Sequence, residues 1–525
     1  MKGLLVFLLL WVTCSDAFKI LLYSPNYSRS HINFIGKLAD LYIDAGHEAV
    51  VFRPELLDDD PNILINGTKA RVIWFKKRFE SGYSAGTLQS DAWTMGNDGI
   101  IKTLTSGWKV MQKLGATNTK MCDQILDDDQ LVHDLKAENF DIGLIQIFDV
   151  CGAGLFKKIG LEKFVLASSM PLSTSISAAF GLPYSLSYVP DFLPTVRDYG
   201  SFVKRVSNIL GFAFTKGVLM AAFQGYQVVS VQKHFPEFTA DRALGNASLL
   251  FVNSDEHVEY PRPISHKVVY IGGFALSDPK PLKNPYKEVL DEAKNGAILI
   301  SFGSIAQSVK MPNATKQAFV DTFKAFPDIK FIWKYEQPDD DVANGLDNVI
   351  KSKWVPQTDI LDHKNVVAFV THGGMNSVSE ASHFGVPMYC IFLFGDQFRN
   401  CKMVQEKGLG LVGKKGELTK DVVFEALKEL INNKSYYQKA RAIAEMIKGK
   451  PMQPAERVLK YTQYAATYDV KQVLELEGRH QNVIEFYNID VYLVFLTILW
   501  LVPYVFYKLV RCCCCRRKAV KSKRE

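Results

Sequence analysis

The stretch Trp354–Gln397 reads WVPQTDILDHKNVVAFVTHGGMNSVSEASHFGVPMYCIFLFGDQ. Val366–Val370 is a short apolar run that predicts a buried strand. Thr371-His372-Gly373-Gly374 breaks it, Asn376-Ser377 opens a helical stretch through Ser382, and Gly385-Val386-Pro387 closes that helix. Met388–Phe394 predicts a second strand, followed by Gly395-Asp396-Gln397. Strand, turn, helix and strand in this order imply an α/β domain, where ligands bind at strand ends and helix starts. The hydrogen-bonding residues Gln357, His372, Asn376, Ser377, Glu380, Asp396 and Gln397 recur at those ends. Two glycines at a strand-to-helix turn let backbone N–H groups approach an anion. The helix N-terminus adds partial positive charge, so a phosphate suits this turn.

The same alternation extends in both directions. Ala297–Phe302 predicts a strand ended by Gly303-Ser304, followed by a helix over Thr315–Phe326 and a strand over Lys330–Lys334. Helices near Lys420–Ile431 and Tyr436–Ile447 complete the second half. The first half opens with a strand, Lys19–Ser24, a loop through Ser30, and an amphipathic helix from about Ile32 to Ala45 with Gly46 just past it. Glu48–Phe52 and Ile142–Ile147 predict further strands of a parallel sheet. Ser173–Ala240 is rich in Phe, Tyr, Leu and Ala, suited to packing helices, a lipophilic pocket or a membrane surface. Pro279, Pro281 and Pro285 punctuate a charged stretch that reads as a linker between the halves.

A chain of 525 residues, 48% hydrophobic and 22% charged, has globular composition and room for two domains or more. The net charge of +7 draws partly on a basic tail and gives no case for nucleic acid. Neither a Walker loop nor zinc-like Cys/His spacing occurs. Lys2, the apolar run Leu4–Val12 and Ser15-Asp16-Ala17 predict a signal peptide over residues 1–17, with the mature chain starting near Phe18. Val491–Tyr507 carries no charge and, with Ile489 and Val510, predicts a single membrane-spanning helix. Trp500, Tyr504 and Tyr507 suit an interface belt, and the basic run from Arg511 to Arg524 places that end in the cytosol and the body in a lumen.

The last five residues, Lys-Ser-Lys-Arg-Glu, resemble the dilysine-type retrieval signal of endoplasmic reticulum membrane proteins. Cys512–Cys515 lie where palmitoylation is plausible. Cys122, Cys151, Cys390 and Cys401 are too sparse for a disulfide scaffold, and their pairing is open. Sequons begin at Asn26, Asn66, Asn246, Asn313 and Asn433, consistent with a secretory glycoprotein.

With these residues in view, Trp354–Gln397 resembles the donor-binding signature of the UDP-glycosyltransferase superfamily. The signal peptide, C-terminal span and dilysine-like tail resemble its membrane-bound UDP-glucuronosyltransferase branch, over nearly the whole mature chain. The resemblance implies a GT-B fold: two Rossmann-like domains facing a cleft, plus the C-terminal transmembrane helix. Residues 18–275 would form the acceptor-binding domain, 276–296 the linker, 297–450 the UDP-sugar-binding domain and 451–488 C-terminal helices. Residues 489–510 would span the membrane and 511–525 form the cytosolic tail.

By that resemblance Trp354 stacks near uracil, Gln357 lies near base and ribose, and Glu380 accepts from ribose hydroxyls. His372, Gly373, Gly374, Asn376, Ser377 and Ser304 meet the diphosphate, with Arg262 of the YPRP segment as a further cation. Asp396 and Gln397 hold sugar hydroxyls. No metal and no resident cofactor is expected, because preorganised dipoles can stabilise a departing diphosphate. His31, beside Ser30 near a helix start, matches the family's catalytic base, and that position favours the neutral imidazole a base requires. The family places an acidic partner near the end of a strand like FDIGLIQIFDVCG, where this chain has Gln146. Glutamine can orient the ring but brings no charge. Asp149, three residues on, replaces it only if the chain turns after Ile147. Phe392 and Phe398 stand where the family usually has proline.

The leading expectation is inverting transfer of a sugar, glucuronic acid first and glucose next, from a UDP-sugar to a hydroxyl or similar nucleophile of a small lipophilic acceptor, with a role in detoxification. The alternative is a non-catalytic lumenal binding or modulating protein, idle because of Gln146. An oxidoreductase would need a G-x-G-x-x-G after an early strand, which is missing. Association into homo- or hetero-oligomers is left open by the sequence.

Overall fold

The computed structural model describes residues 17–27, 29–58, 67–82, 92–93, 100–191, 200–276, 278–304 and 306–521. Residues 1–16 of the expected signal peptide, the sequon asparagine at 66 and the last four residues lie outside them.

Two parallel sheets organise the chain. The first contains β1 (Lys19–Tyr23), β2 (Glu48–Pro54), β3 (Arg71–Phe75), β4 (Ile142–Gln146), β5 (Phe164–Ser168), β6 (Leu249–Val252) and β7 (Val268–Tyr270). The second contains β8 (Ala297–Ser301), β9 (Lys330–Lys334), β10 (Val349–Ser352), β11 (Val366–Thr371), β12 (Met388–Phe392) and β13 (Gly410–Lys414). Helices cover both faces of each, so the strands read as continuous apolar runs rather than alternating ones. In the first sheet Leu21, Tyr23, Val50, Phe52 and Ile145 join one core cluster, while Ile20, Leu22, Ala49, Val51, Ile142 and Leu144 join another on the opposite face.

The strand orders locate the site. They run β3-β2-β1-β4-β5-β6-β7 and β10-β9-β8-β11-β12-β13. In both sheets the chain winds outward over three strands, then crosses back to pair beside the first. The order therefore reverses between β1 and β4, and between β8 and β11. A crevice opens at the carboxyl ends of the strands at such a switch point.

Three features add detail to the sequence reading. The linker stretch carries a short helix, Tyr286–Glu292. The helix Pro454–Thr467 packs on the first sheet, with Val458, Ala465 and Ala466 in its core and Thr462 Oγ1 2.9 Å from the hydroxyl of Tyr42. The C-terminal helix runs unbroken over Ile489–Lys521, well past residue 510. Its apolar part, Ile489–Cys513, has 25 residues and no burial against the protein, enough to cross about 30 Å of hydrocarbon.

Both cysteine pairs in the body are disulfides: Cys122 with Cys151, and Cys390 with Cys401. Asn26, the first sequon, is fully buried, and its side-chain oxygen accepts from the N–H groups of Leu56 and Leu57. A glycan has no room there.

Candidate active site

His31 is the third residue of the helix Arg29–Asp44, which follows β1. Gln146 is the last residue of β4. The first switch point thus joins them: His31 Nδ1 lies 2.7 Å from Gln146 Oε1. A carbonyl oxygen only accepts, so Nδ1 carries the proton and the Nε2 lone pair stays free. The imidazole stands between the rings of Tyr27 and Phe148, with centroids 6.3 and 6.0 Å away. Burial lowers its pKa below the ordinary histidine value, and the bond to Gln146 opposes that only in part. The ring is therefore neutral at physiological pH, as a general base must be.

Asp149 does not reach His31. The chain does turn after Ile147, with the Asp149 N–H donating to Gln146 O at 2.9 Å. The carboxyl group, however, accepts from the Tyr27 hydroxyl at 2.5 Å. Asp149 stands at the N-cap of the helix Val150–Ile159, and the Cys122–Cys151 disulfide pins that helix two residues on. Complete burial pushes the Asp149 carboxyl up to about 8. It is mostly protonated at neutral pH and supplies no negative charge to an imidazolium. Gln146 is the hydrogen-bond partner of the candidate base.

The second switch point brings together Gly303-Ser304, after β8, and His372-Gly373-Gly374, after β11. The His372 ring is packed between two glycines: a Cβ on Gly303 or on Gly374 would lie 2.6 Å from it. Burial, helped by the charge of Lys334, lowers the His372 pKa to about 4, and its buried Nδ1 has no protein partner. Gly374 is the N-cap of the helix Met375–Phe384 and has no side chain to satisfy the first-turn N–H groups. Those groups, with the helix dipole, form an anion cradle. Gly373 adopts φ +80°, and a Cβ there would lie 2.4 Å from Cys401 Sγ and 2.6 Å from Cys390 Sγ. The disulfide lies directly against the loop.

The remaining donor-site candidates surround this cradle. Gln357 opens the helix Gln357–Asp362 and donates through Nε2 to Ser377 Oγ at 3.1 Å and to Glu380 Oε2. Burial raises the Glu380 pKa, while Gln357 and the charge of Lys37, on the first domain, oppose that rise. Asn376 is exposed and accepts from Asn253 Nδ2 at 2.8 Å. Asn253 follows β6, so this bond crosses from one domain to the other. Trp354 is 64% exposed, an open aromatic face at the rim with Lys334 Nζ 5.9 Å from its ring. Asp396 stands at the N-cap position of the helix Gln397–Glu406, and its carboxylate accepts from Asn400 Nδ2 at 2.7 Å. The same nitrogen donates to Gly373 O at 3.0 Å. Gln397 Oε1 accepts from the N–H groups of Leu393 and Phe394, holding the turn between strand and helix.

Arg262 stands apart from this set. Its buried guanidinium lies 3.9 Å from Glu259, which also pairs with Arg399 at 2.6 Å. Arg399 reaches from the helix Gln397–Glu406 to the carbonyls of Leu172 and Pro190 in the first domain. These charges lock the two domains together. Among the described residues, Asp255, Glu256 and His257 form a group with metal-ligand spacing. Lys450 bonds both carboxylates, and Arg457 bonds Glu256 at 2.9 Å, so the chain's own cations fill that space.

This geometry meets a family match. The family model described as UDP-glucoronosyl and UDP-glucosyl transferase covers residues 19–525. The chain belongs to the UDP-glycosyltransferase family. It is 30% identical over 490 residues, 90% of each chain, to a Caenorhabditis elegans protein provisionally named UDP-glucuronosyltransferase ugt-48. It is 28% identical over 526 residues to the 2-hydroxyacylsphingosine 1-beta-galactosyltransferase of Rattus norvegicus, covering 97% of this chain and 93% of that one. Among solved structures, a UDP-glucosyltransferase from Polygonum tinctorium aligns over 86% of this chain and 100% of its own, with TM-score 0.58 and 14% identity. The fold of this UDP-glycosyltransferase family member is GT-B, and its C-terminal apolar helix fits a membrane anchor.

Sequence reasoning missed Asn253, Asn400 and Tyr27. Asn400 lies only three residues beyond Gln397, so a search for polar residues one helical turn past Asp396 finds it. Asn253 and Tyr27 give no comparable signal.

Proposed function

We propose that this protein transfers glucuronic acid from UDP-glucuronic acid to a hydroxyl of small lipophilic acceptors, with inversion at the anomeric carbon. The observation that carries the reading is the His31–Gln146 bond at one switch point, together with the anion cradle at the other. His31 Nε2 takes the proton of the acceptor hydroxyl. The acceptor oxygen forms its bond to the anomeric carbon as the bond from that carbon to the diphosphate oxygen breaks. UDP leaves with the electron pair, and the proton stays on His31 until solvent removes it. Charge growing on the diphosphate is met by the first-turn N–H groups of Met375–Phe384, with His372, Asn376, Ser377 and Ser304 around it. Glu380 and Gln357 would receive the ribose, Trp354 the base, and Asp396 and Gln397 the sugar hydroxyls. The reading needs no metal.

The family description and the name of the nematode relative support a glucuronyl donor, while the family description and the rat relative's name equally admit glucose or galactose. The rat relative's name also specifies a lipid acceptor, which supports the lipophilic class. The C-terminal anchor and basic tail support a single-pass protein of the endoplasmic reticulum with a lumenal body. The test is turnover by membranes containing the full chain, with radiolabelled UDP-glucuronic acid, UDP-glucose and UDP-galactose in parallel against phenols and lipophilic alcohols. A glucuronide that is absent from the His31→Ala variant is the expected result. A hexoside alone would replace the sugar and keep the mechanism. Measurable UDP binding without any product would instead favour a binding protein disabled at Gln146.

A further inference from the structure

The helix Phe202–Phe214 is inside out. A helix on a soluble protein buries its apolar stripe and exposes polar residues. Here the buried positions are Asn208 and Gly211, with Thr215 at the C-cap also buried. Asn208 is fully enclosed: Nδ2 donates to the carbonyls of Leu186 and Val189, and Oδ1 accepts from the Asp191 N–H. The opposite face presents Phe202, Val203, Val206, Ile209 and Leu210, with Phe202 71% and Leu210 65% exposed. These positions follow the i, i+4, i+7 spacing of one continuous stripe. The satisfied polar side chain within and the large apolar side chains without fix the helix in this orientation. The helix carries Lys204 and Arg205 and no carboxylate.

The same helix is tied to the root of the membrane anchor through Phe212, beside the exposed stripe. The Phe212 ring packs at a tilt against Tyr184, with centroids 5.1 Å apart, and Tyr184 lies 6.1 Å from the ring of Tyr487. The Tyr184 N–H also donates to the Tyr487 hydroxyl at 2.6 Å. Two residues later, at Ile489, the long apolar helix begins. Val483 and Ile484, just before it, are likewise exposed. A helix tied through Tyr184 to Tyr487, two residues before the span begins, stays close to the point where the chain meets a bilayer. Burying its side chains in lipid would recover about 25 cal/mol per Å² of apolar area.

We propose that the Phe202–Phe214 helix lies in the lumenal leaflet of the bilayer that the Ile489–Cys513 segment crosses, with its apolar stripe among the acyl chains. The proposal rests on reading Ile489–Cys513 as a span. It gives the acceptor domain a second, in-plane contact with the phase in which lipophilic acceptors dissolve.

The test uses the full chain in phosphatidylcholine vesicles, with Cys512, Cys513, Cys514 and Cys515 changed to Ser. A nitrobenzoxadiazole probe is placed by Leu210→Cys, by Val203→Cys as a second site, by Phe495→Cys within the span, and by Val422→Cys on a distant helix. Retained UDP binding marks each variant as folded. Nitroxide lipids labelled near the headgroup should quench the Leu210 and Val203 probes about twofold or more beyond the Val422 probe, with little quenching by aqueous iodide. Quenching by iodide and not by lipid overturns the proposal. Protection from both quenchers also overturns it and assigns the face to a second protein surface. An unquenched Phe495 probe removes the anchor itself, and the proposal with it.

Discussion

His31 and Gln146 meet across the first switch point, 2.7 Å apart, with an amide oxygen where the family resemblance leads one to expect a carboxylate. The bond fixes the tautomer and the ring direction that a general base needs. It does not stabilise the imidazolium by charge. The Asp149 carboxyl is bonded to Tyr27 and pushed up to about 8 by burial. Gln146 supplies orientation without charge.

The missing charge can be tested at Gln146. Gln146→Glu keeps the length of the side chain and adds charge, whereas Gln146→Asp falls one methylene short of the ring. A carboxylate that raises the basicity of His31 by about one unit, about 1.4 kcal/mol, would raise turnover by up to about tenfold for Glu and by less for Asp. The acid limb of the pH–rate profile should move to higher pH with it. Gln146→Met removes the acceptor and should lower kcat by about tenfold or more while UDP affinity stays unchanged. Steady-state kinetics over a pH series, with UDP binding measured in parallel, checks all three variants.

His31 itself predicts the wild-type profile. Burial lowers its pKa, so the ring is neutral from below the ordinary value of 6.5 upward. The kcat/KM for acceptor should be flat through neutral pH and fall only on the acid side of that value. His31→Ala should lose about 10²- to 10⁴-fold in turnover with little change in UDP affinity. A variant that kept most of its turnover would remove His31 as the base.

Much of this was legible in the sequence because parallel strands are buried on both faces and therefore appear as apolar runs. Lys330–Lys334 matches its prediction, and Ala297–Ser301 and Val366–Thr371 differ from theirs by one residue at one end. The glycine turns marked the loops at the strand ends. What stayed hidden depends on packing between distant segments. Asn253 meets Asn376 only because two domains face each other, and four cysteines allow more than one pairing. The period of Pro454–Thr467 gives it an apolar face but does not say which sheet receives it. Phe202–Phe214 inverts the usual rule, so the apolar composition of Ser173–Ala240 does not say which face of this helix turns inward.

Gly373 shows how tightly the glycine loop after β11 is built. A Cβ there would meet both sulfurs of the Cys390–Cys401 disulfide, and φ is +80°. A cross-linked pair cannot swing aside as a flexible side chain would. Gly373→Ala should therefore lose about 1–3 kcal/mol of stability and weaken UDP binding by about tenfold or more. Gly395→Ala is the control. Its φ of +65° carries similar backbone strain, but nothing lies within 4 Å of the added Cβ. It should cost about 1–2 kcal/mol and leave UDP affinity nearly intact. Thermal melts and calorimetric UDP titration distinguish the two.

Asp149 makes stability depend on pH. Its pKa rises from 3.8 to about 8 on folding, so the folded protein holds a proton that the unfolded chain has already released. The contribution is complete below about 4, declines as pH rises through the interval and is lost above about 8. Asp149→Asn keeps the shape, cannot ionise and can still accept the bond from Tyr27. Its melting temperature, measured against wild type from pH 5 to pH 9, should gain steadily on wild type as pH rises and level off above about 8. The same variant should keep most of its turnover, because Gln146, not Asp149, holds His31. A parallel pH dependence in both proteins would mean that the Asp149 carboxyl is already ionised at neutral pH, and would return it as a source of charge near His31.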